Sequence, residues 1–325
     1  MTFPLGEWID AHEACRYNLG ESGMHGVVGP VRPSAREVRS ADAGELRALL
    51  AESVGVDPAR VFLTHGASEA NGWITVFLGR TTRGGAARRC RVRRPEYPPL
   101  VEVARWSGFR PVTTPGPAAL AVLSNPRNPE GSWWGREAMH DATDGARHVL
   151  VDETFREFAG VPSFSGDGRR GVWRTGTFSK FFGADAIRVG FAIAPEESQA
   201  EFRRFHDHFV DKVAPYSIAS ATATWRGRER IRRRVDQVFG RNAAVVRAAF
   251  PGAPPLAAPV FFDRPVRPNG RALARRCLRA SVLVCPGEFF GDPSGVRIGL
   301  TRPTFGRDFR VYRAVRDRVP SRRRR

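Results

Sequence analysis

Between residues 60 and 194, short apolar segments alternate with stretches of helical periodicity, and no other feature constrains the fold as tightly. "RVFLTHG" (60–66) reads as a strand running into a turn, and "SEANGWITVFL" after it as a helix. Further strand candidates are "CRVRR" (90–94), "FRPVT" (109–113), "LAVLS" (120–124), "HVLVD" (148–152), "VWRTGTF" (172–178) and "RVGFAIA" (188–194), several of them separated by helix-like segments. Strands alternating with helices predict an α/β fold with a mostly parallel sheet flanked by helices. Upstream, "DAGELRALLAESVG" (42–55) has helical spacing with Asp42 as its N-cap. The first 40 residues are rich in Gly, Pro and Arg and read as an irregular arm. Residues 196–250 are largely helical in pattern. Beyond them "VFFD", a helix at 269–280, "SVLVC", "GVRIGL" and a last helix read as a smaller α+β domain. The expected division is an arm over 1–40, a large domain over 41–222 and a small domain over 223–325.

Ligands of such sheets collect at the carboxyl ends of the strands. Polar residues fall there in four places: the "HGASEA" turn, Asn125 to Asn128, Asp152, and Thr177 to Lys180. Four loops are therefore expected to converge on one pocket. Among the 52 basic residues only Lys180 and Lys212 are lysines. Arginine stays protonated, whereas a desolvated lysine can lose its proton and attack a carbonyl to form a Schiff base. The plain alternative for Lys180 is a surface lysine. "HGASEA" joins a strand to a helix through small residues, so backbone amides at the helix start can bind a phosphate; otherwise it is a tight turn. Asp152 ends an apolar strand and needs a cationic partner, which a protonated pyridine nitrogen provides. Arg188 can pair with a phosphate through two parallel hydrogen bonds. A phosphate site, a buried acid and a desolvated lysine together describe a site for pyridoxal phosphate.

The formal net charge of +19 raises the question of nucleic acid. The arginines are spread along the chain, with local runs at "RERIRRR" (228–234) and "SRRRR" (321–325), and no nucleic-acid-binding motif accompanies them. Arginine-rich codon usage is the plain alternative, an anionic cofactor or substrate stays open without being shown by total charge, and neither nucleic acid nor membrane is expected as a partner. No apolar run reaches the length of a membrane span, and the N-terminus lacks the apolar core of a secretory signal. Cys15, Cys90, Cys277 and Cys285 show neither C-x-x-C nor metal-ligand spacing, so a reduced, cytoplasmic, metal-free protein is expected. His206 and His208, flanking Asp207, read as the polar face of a helix.

"HGASEAN", "RPEYPP", "SNPRNPEG", "VDETFREF", "TFSKFFGADAIRVGF", "CPGEFFG" and "GVRIGLT" follow one another in the motif order of a known family. From about Asp42 to Leu300 the chain resembles the class I/II aminotransferases, the fold-type-I pyridoxal-phosphate enzymes. Its short length is closest to the histidinol-phosphate aminotransferase and threonine-phosphate decarboxylase branch. The resemblance implies that Lys180 carries pyridoxal phosphate as a Schiff base and later moves a proton at the substrate Cα. It implies that Asp152 keeps the pyridine nitrogen protonated, Asn128 bonds the phenolic oxygen and Tyr97 stacks on the ring. Gly66, Ala67, Ser68, Thr177, Ser179 and Arg188 would hold the phosphate, and Arg297, beside Asn128, the substrate carboxylate. The implied activity is amino-group transfer between an L-amino acid and a 2-oxo acid in a homodimer. The alternative is decarboxylation, elimination, replacement or oxidation on the same cofactor.

Two positions depart from the family pattern. Phe155 stands where a tyrosine usually contributes its hydroxyl to the cofactor's phenolic oxygen, and its loss is expected to raise the pKa of the lysine–cofactor Schiff base. Residues 26–45 contain no tyrosine, although many relatives supply one from this segment to the neighbouring subunit's phosphate.

Overall fold

A computed structural model describes residues 3–82, 88–166, 168–210, 212–265 and 269–318. Its strands are β1 (Tyr17–Asn18), β2 (Val61–Thr64), β3 (Arg89–Val92), β4 (Arg110–Val112), β5 (Ala118–Ser124), β6 (Ala146–Asp152), β7 (Val172–Thr177), β8 (Gly190–Ile193), β9 (Val260–Asp263), β10 (Val282–Leu283), β11 (Cys285–Pro286) and β12 (Val296–Gly299). Seven of them form one sheet in the order β2-β8-β7-β6-β5-β3-β4. The pairs β3–β4, β3–β5, β5–β6 and β6–β7 are parallel, while β8 runs antiparallel to both β7 and β2. The α/β architecture expected from the alternation is present, with β8 as its one reversed strand.

Alternate residues of each strand face opposite sides of this sheet. Phe62, Leu150, Trp173 and Ala192 pack on one side, with the helices Ala67–Thr81, Pro98–Trp106 and Gln199–His206. Val61, Leu63, Phe191 and Ile193 pack on the other, with the helices Ala43–Val54, Pro215–Arg226 and Arg228–Ala249. Both cores are apolar, which fixes the register, because a one-residue slip would send each inward side chain to the wrong core. The helix Ala43–Val54 starts where the Asp42 carboxylate accepts from the Gly44 amide and stops at Gly55, in the left-handed conformation at φ 64°. The C-terminal part carries the antiparallel sheet β11-β12-β9 and the helix Phe305–Asp317.

Two expectations are corrected here. The first 40 residues are not an irregular arm. They contain the helices Pro4–Ala11 and Ala35–Arg39, the second closed by a capping box between Ser34 and Glu37. β1 pairs in parallel with β10, and the Gly299 amide donates to the Leu19 carbonyl, so residues 17–19 join the C-terminal sheets, while further along the Val31 amide donates to Thr224 and its carbonyl accepts from Ser220, both on the helix Pro215–Arg226. Its Gly, Pro and Arg content hid the few residues that anchor it, of which Leu5, Leu19 and Met24 are buried. His206 is likewise not on a polar face. It is 7% exposed, donates from Nε2 to the Leu63 carbonyl at 3.0 Å and packs edge-on to Phe62. The arginine run at 228–234 opens the helix Arg228–Ala249, while "SRRRR" (321–325) lies outside the described residues. Among the described residues no helix is long and apolar enough to cross a membrane.

Candidate active site

β2 ends in a turn whose shape depends on glycine. Gly66 adopts φ 123°, a conformation closed to most side chains, and the helix Ala67–Thr81 begins at the next residue. A Cβ on Gly190, across the sheet in β8, would run into the Gly66 backbone. The two glycines let the reversed strand approach the helix start, where backbone amides point into the open space beyond the sheet. Arg188 reaches the same turn, its Nη2 donating to the His65 carbonyl at 3.2 Å and its Nη1 to Asp185 at 2.6 Å. The Thr177 hydroxyl, at the end of β7, donates to Ser179 Oγ at 3.0 Å and accepts from the Ser179 amide at 3.1 Å. Amides, hydroxyls and a guanidinium thus face one small volume suited to a phosphate.

Asp152 terminates β6 at 4% exposure. Its carboxylate accepts from Asn71 Nδ2 at 2.8 Å and from the Thr154 amide at 2.9 Å. Thr175 fixes the amide's orientation by donating to Asn71 Oδ1 at 2.8 Å. Both donors to the carboxylate are neutral. A buried carboxylate held this way is stabilised by an added cation, and a protonated heterocyclic nitrogen is one.

Opposite the phosphate cradle stands Arg297, on β12 and 3% exposed. Its Nη2 donates to the Gly20 carbonyl at 2.6 Å, its Nη1 lies 3.4 Å from Asn128 Oδ1, and its Nε has no hydrogen-bond partner among the described residues. The guanidinium sits 5.2 Å from the Phe290 ring centre. Lys180 lies between these groups. Burial pushes its amine toward the neutral form, with Arg297 and Arg188 acting in the same direction against Asp185 and Glu21. Burial pushes the Tyr97 hydroxyl up to about 12, aided by Asp152 and opposed by Arg297.

Arg188, Thr177, Ser179, Asp152, Arg297, Lys180 and Tyr97 line a single cavity of about 300 Å³. Of the residues singled out in the sequence, Gly66, Ala67, Ser68, Thr177, Ser179 and Arg188 line its phosphate-like end. Tyr97, Asn128, Asp152, Phe155, Lys180 and Arg297 line it too. Phe155 is 3% exposed and meets Phe158 edge-on at 6.0 Å. The helix Pro4–Ala11 adds Leu5 and Ile9 to the wall, a contribution the irregular-arm reading missed. Sequence reasoning also passed over Ser124, which lines the cavity, and Asn71, Thr175 and Glu96, which hold lining residues in place. Asn71 was detectable: it lies four residues after Ala67 in "HGASEAN", one helical turn into the helix that opens the phosphate turn.

Residues 35–304 match the family described as aminotransferase class I and II. The chain belongs to that family. It is a pyridoxal-phosphate-dependent enzyme, and the cavity offers what that cofactor needs: an anion cradle, a lysine and a buried carboxylate with neutral donors. Among its relatives is the capreomycidine synthase of Streptomyces vinaceus, 26% identical over 92% of this chain and 89% of that protein. Another is histidinol-phosphate aminotransferase 2 of Caulobacter vibrioides, 28% identical over 79% of this chain and 73% of that one. The solved structure of the PLP-dependent cyclase OrfR shares the fold with a TM-score of 0.79 at 23% identity, over 98% of both chains.

Proposed function

We propose that this enzyme transfers an amino group between an L-amino acid and a 2-oxo acid. The observation that carries the reading is the convergence of Lys180, Asp152 and Arg297 on one cavity, because it brings together a base, a charge anchor and a carboxylate clamp. Bound there, pyridoxal phosphate supplies an electron sink that acidifies the substrate Cα–H. The helix start at Ala67, with Ser68, Thr177, Ser179 and Arg188, would hold its phosphate. Asp152 would hold its ring nitrogen, Asn128 its phenolic oxygen, and Tyr97 its face. Arg297, whose guanidinium lines the cavity, would pair with the substrate carboxylate by charge-assisted hydrogen bonds. Lys180, buried and biased toward its neutral amine, takes the proton from Cα and returns it at the end of the half-reaction. Leu5 and Ile9 exclude water from that transfer.

A second reading keeps the cofactor and changes the bond broken, to elimination, replacement, decarboxylation or oxidation. Two observations favour it: the missing hydroxyl at Phe155, and a capreomycidine synthase matched across most of both chains. The holoenzyme incubated with a panel of L-amino acids decides between them. Formation of the 2-oxo acid only when an amino acceptor is supplied supports transfer. Release of carbon dioxide, ammonia or a side-chain fragment without an acceptor supports the second reading. We further propose a cytoplasmic homodimer, on family grounds, and light scattering that found only a 36.0 kDa species with bound cofactor would reject the dimer.

A further inference from the structure

Tyr97 and Asn128 enter the cavity from different loops, and one buried carboxylate is tied to both. Glu96 is 0% exposed and precedes Tyr97; Arg127 is 1% exposed and precedes Asn128. Glu96 Oε1 accepts from the Tyr97 amide at 2.7 Å and from Ser124 Oγ at 2.6 Å. Its Oε2 accepts from the Ser124 amide at 3.0 Å and from Arg127 Nη1 at 2.5 Å. Arg127 Nη2 donates to the carbonyls of Arg93 and Pro95, both at 2.7 Å, and the guanidinium lies 4.3 Å from the Trp134 ring centre. Ser124 Oγ, which donates to Glu96, accepts in turn from the Asn128 amide at 2.9 Å. A carboxylate has about four acceptor positions, and all are used here, by donors from both loops. A buried ion pair is an inefficient source of stability compared with apolar packing, but its geometry is directional.

We propose that Glu96, acting through Ser124 and Arg127, is a positioning residue that sets Tyr97 and Asn128 relative to one another across the cavity. The proposal rests on the reading of those two side chains as contacts of the cofactor ring. Glu96 does not line the cavity. It holds the loop after β3 and the loop after β5 at a fixed separation, so that ring stacking and the bond to the phenolic oxygen are available together.

The test uses the holoenzyme and two variants. Glu96→Gln keeps the shape and removes the charge. Ser124→Ala removes the hydroxyl link between Glu96 and the Asn128 amide, along with one hydroxyl of the cavity wall, and it decides the matter if Glu96→Gln does not fold. The parent is first shown to bind pyridoxal phosphate on Lys180, by borohydride reduction and peptide mapping; failure there sinks the reading of the site and the proposal with it. With that established, Ser124→Ala is expected to fold, to bind the cofactor, and to lose about 10-fold in kcat, as removal of outer-sphere partners generally does. KM should stay within about threefold, since Arg297 is untouched. The pH midpoint of the holoenzyme absorbance should move upward, because Asn128 favours the deprotonated oxygen. A folded, cofactor-loaded Ser124→Ala with the parent's kcat and absorbance midpoint would overturn the proposal.

Discussion

Asp152 and Asp263 each close a strand, one in the seven-stranded sheet and one in the C-terminal sheet, and both are buried, at 4% and 2% exposure. Their surroundings differ. Asp263 accepts from the Tyr312 hydroxyl at 2.5 Å and from both Nε and Nη2 of Arg316. Asp152 accepts from one amide side chain and one backbone amide. A carboxylate neutralised by its own chain is part of the scaffold, and removing it leaves a buried arginine without its counter-charge. A carboxylate held only by neutral donors keeps its charge available to something that binds. The large sheet therefore presents its buried acid to a ligand, while the smaller sheet uses its acid to bind the last helix.

The largest effect that tests this contrast is on activity. Lys180→Ala and Asp152→Asn should each lower kcat/KM by at least about 1,000-fold, with a melting temperature close to the parent's, since neither side chain pairs with a buried cation of the chain. Peptide mapping after borohydride reduction should find the cofactor on Lys180 and not on Lys212, which lines a different cavity beside Arg47 and Arg203. A label on Lys212, or an Asp152→Asn enzyme with near-parental turnover, would dissolve the distinction between the two acids.

Asp263→Asn should show the opposite pattern. Breaking one partner of a buried pair costs about 3–5 kcal/mol, so urea unfolding should shift by that amount, while the folded fraction keeps kcat within about threefold. Loss of turnover without loss of stability would mean that Asp263 acts at a distance on the site.

The same cluster makes stability depend on alkaline pH. Burial, with Asp263 adjacent, holds the Tyr312 hydroxyl well above its ordinary value of 10.0. A group whose pKa is raised by folding contributes stability that is full below the unfolded pKa and is lost as pH rises through the folded one. Unfolding free energy should therefore decline above about pH 10. Tyr312→Phe, which cannot ionise, should be less stable at pH 7 and lose less between pH 9 and pH 11. Parallel profiles for the two proteins would remove Tyr312 from the account.

These contrasts also mark what the sequence could disclose. Strand ends were legible because apolar runs stop abruptly at polar residues, as "HVLVD" does at Asp152 and "LAVLS" does at Ser124. Tyr97, Asn128, Asp152, Lys180 and Arg297, unlike the lining residues Leu5, Ile9 and Ser22, were legible because each sits in a short local motif. Their supports were not. Asn71 lies 81 positions from Asp152, and Glu96 lies 28 from Ser124, so nothing local connects them. Glu96 in "RPEYPP" looks like any exposed loop acid, and only its contact with Arg127 explains why it is buried. His206 misled for the same reason: its partner is a carbonyl 143 residues away, beneath the edge of Phe62. The arm misled differently, since its composition is that of a loop while a few apolar side chains tie it down.

The smallest effect concerns Phe155, which adjoins Asp152 in the same cavity and contributes no polar atom to it. A tyrosine there would add a hydroxyl able to donate to the cofactor's phenolic oxygen, a charge-assisted bond worth about 1.5–3 kcal/mol when well formed. That bond favours the deprotonated, anionic oxygen, so its absence holds the holoenzyme's absorbance midpoint high. Each unit of pKa corresponds to about 1.4 kcal/mol, so Phe155→Tyr should lower the midpoint by about one unit at most, given that Asn128 already serves the same oxygen. Because Phe155 is packed edge-on against Phe158, the extra oxygen must enter the cavity or disturb that contact. Titrating the variant's absorbance against pH while following its thermal midpoint separates the two outcomes. A lower midpoint at unchanged stability places the para position of residue 155 at the cofactor. An unchanged midpoint with reduced stability would mean that the side chain belongs to the core, and the departure at this position would then bear on packing alone and not on which bond the enzyme breaks.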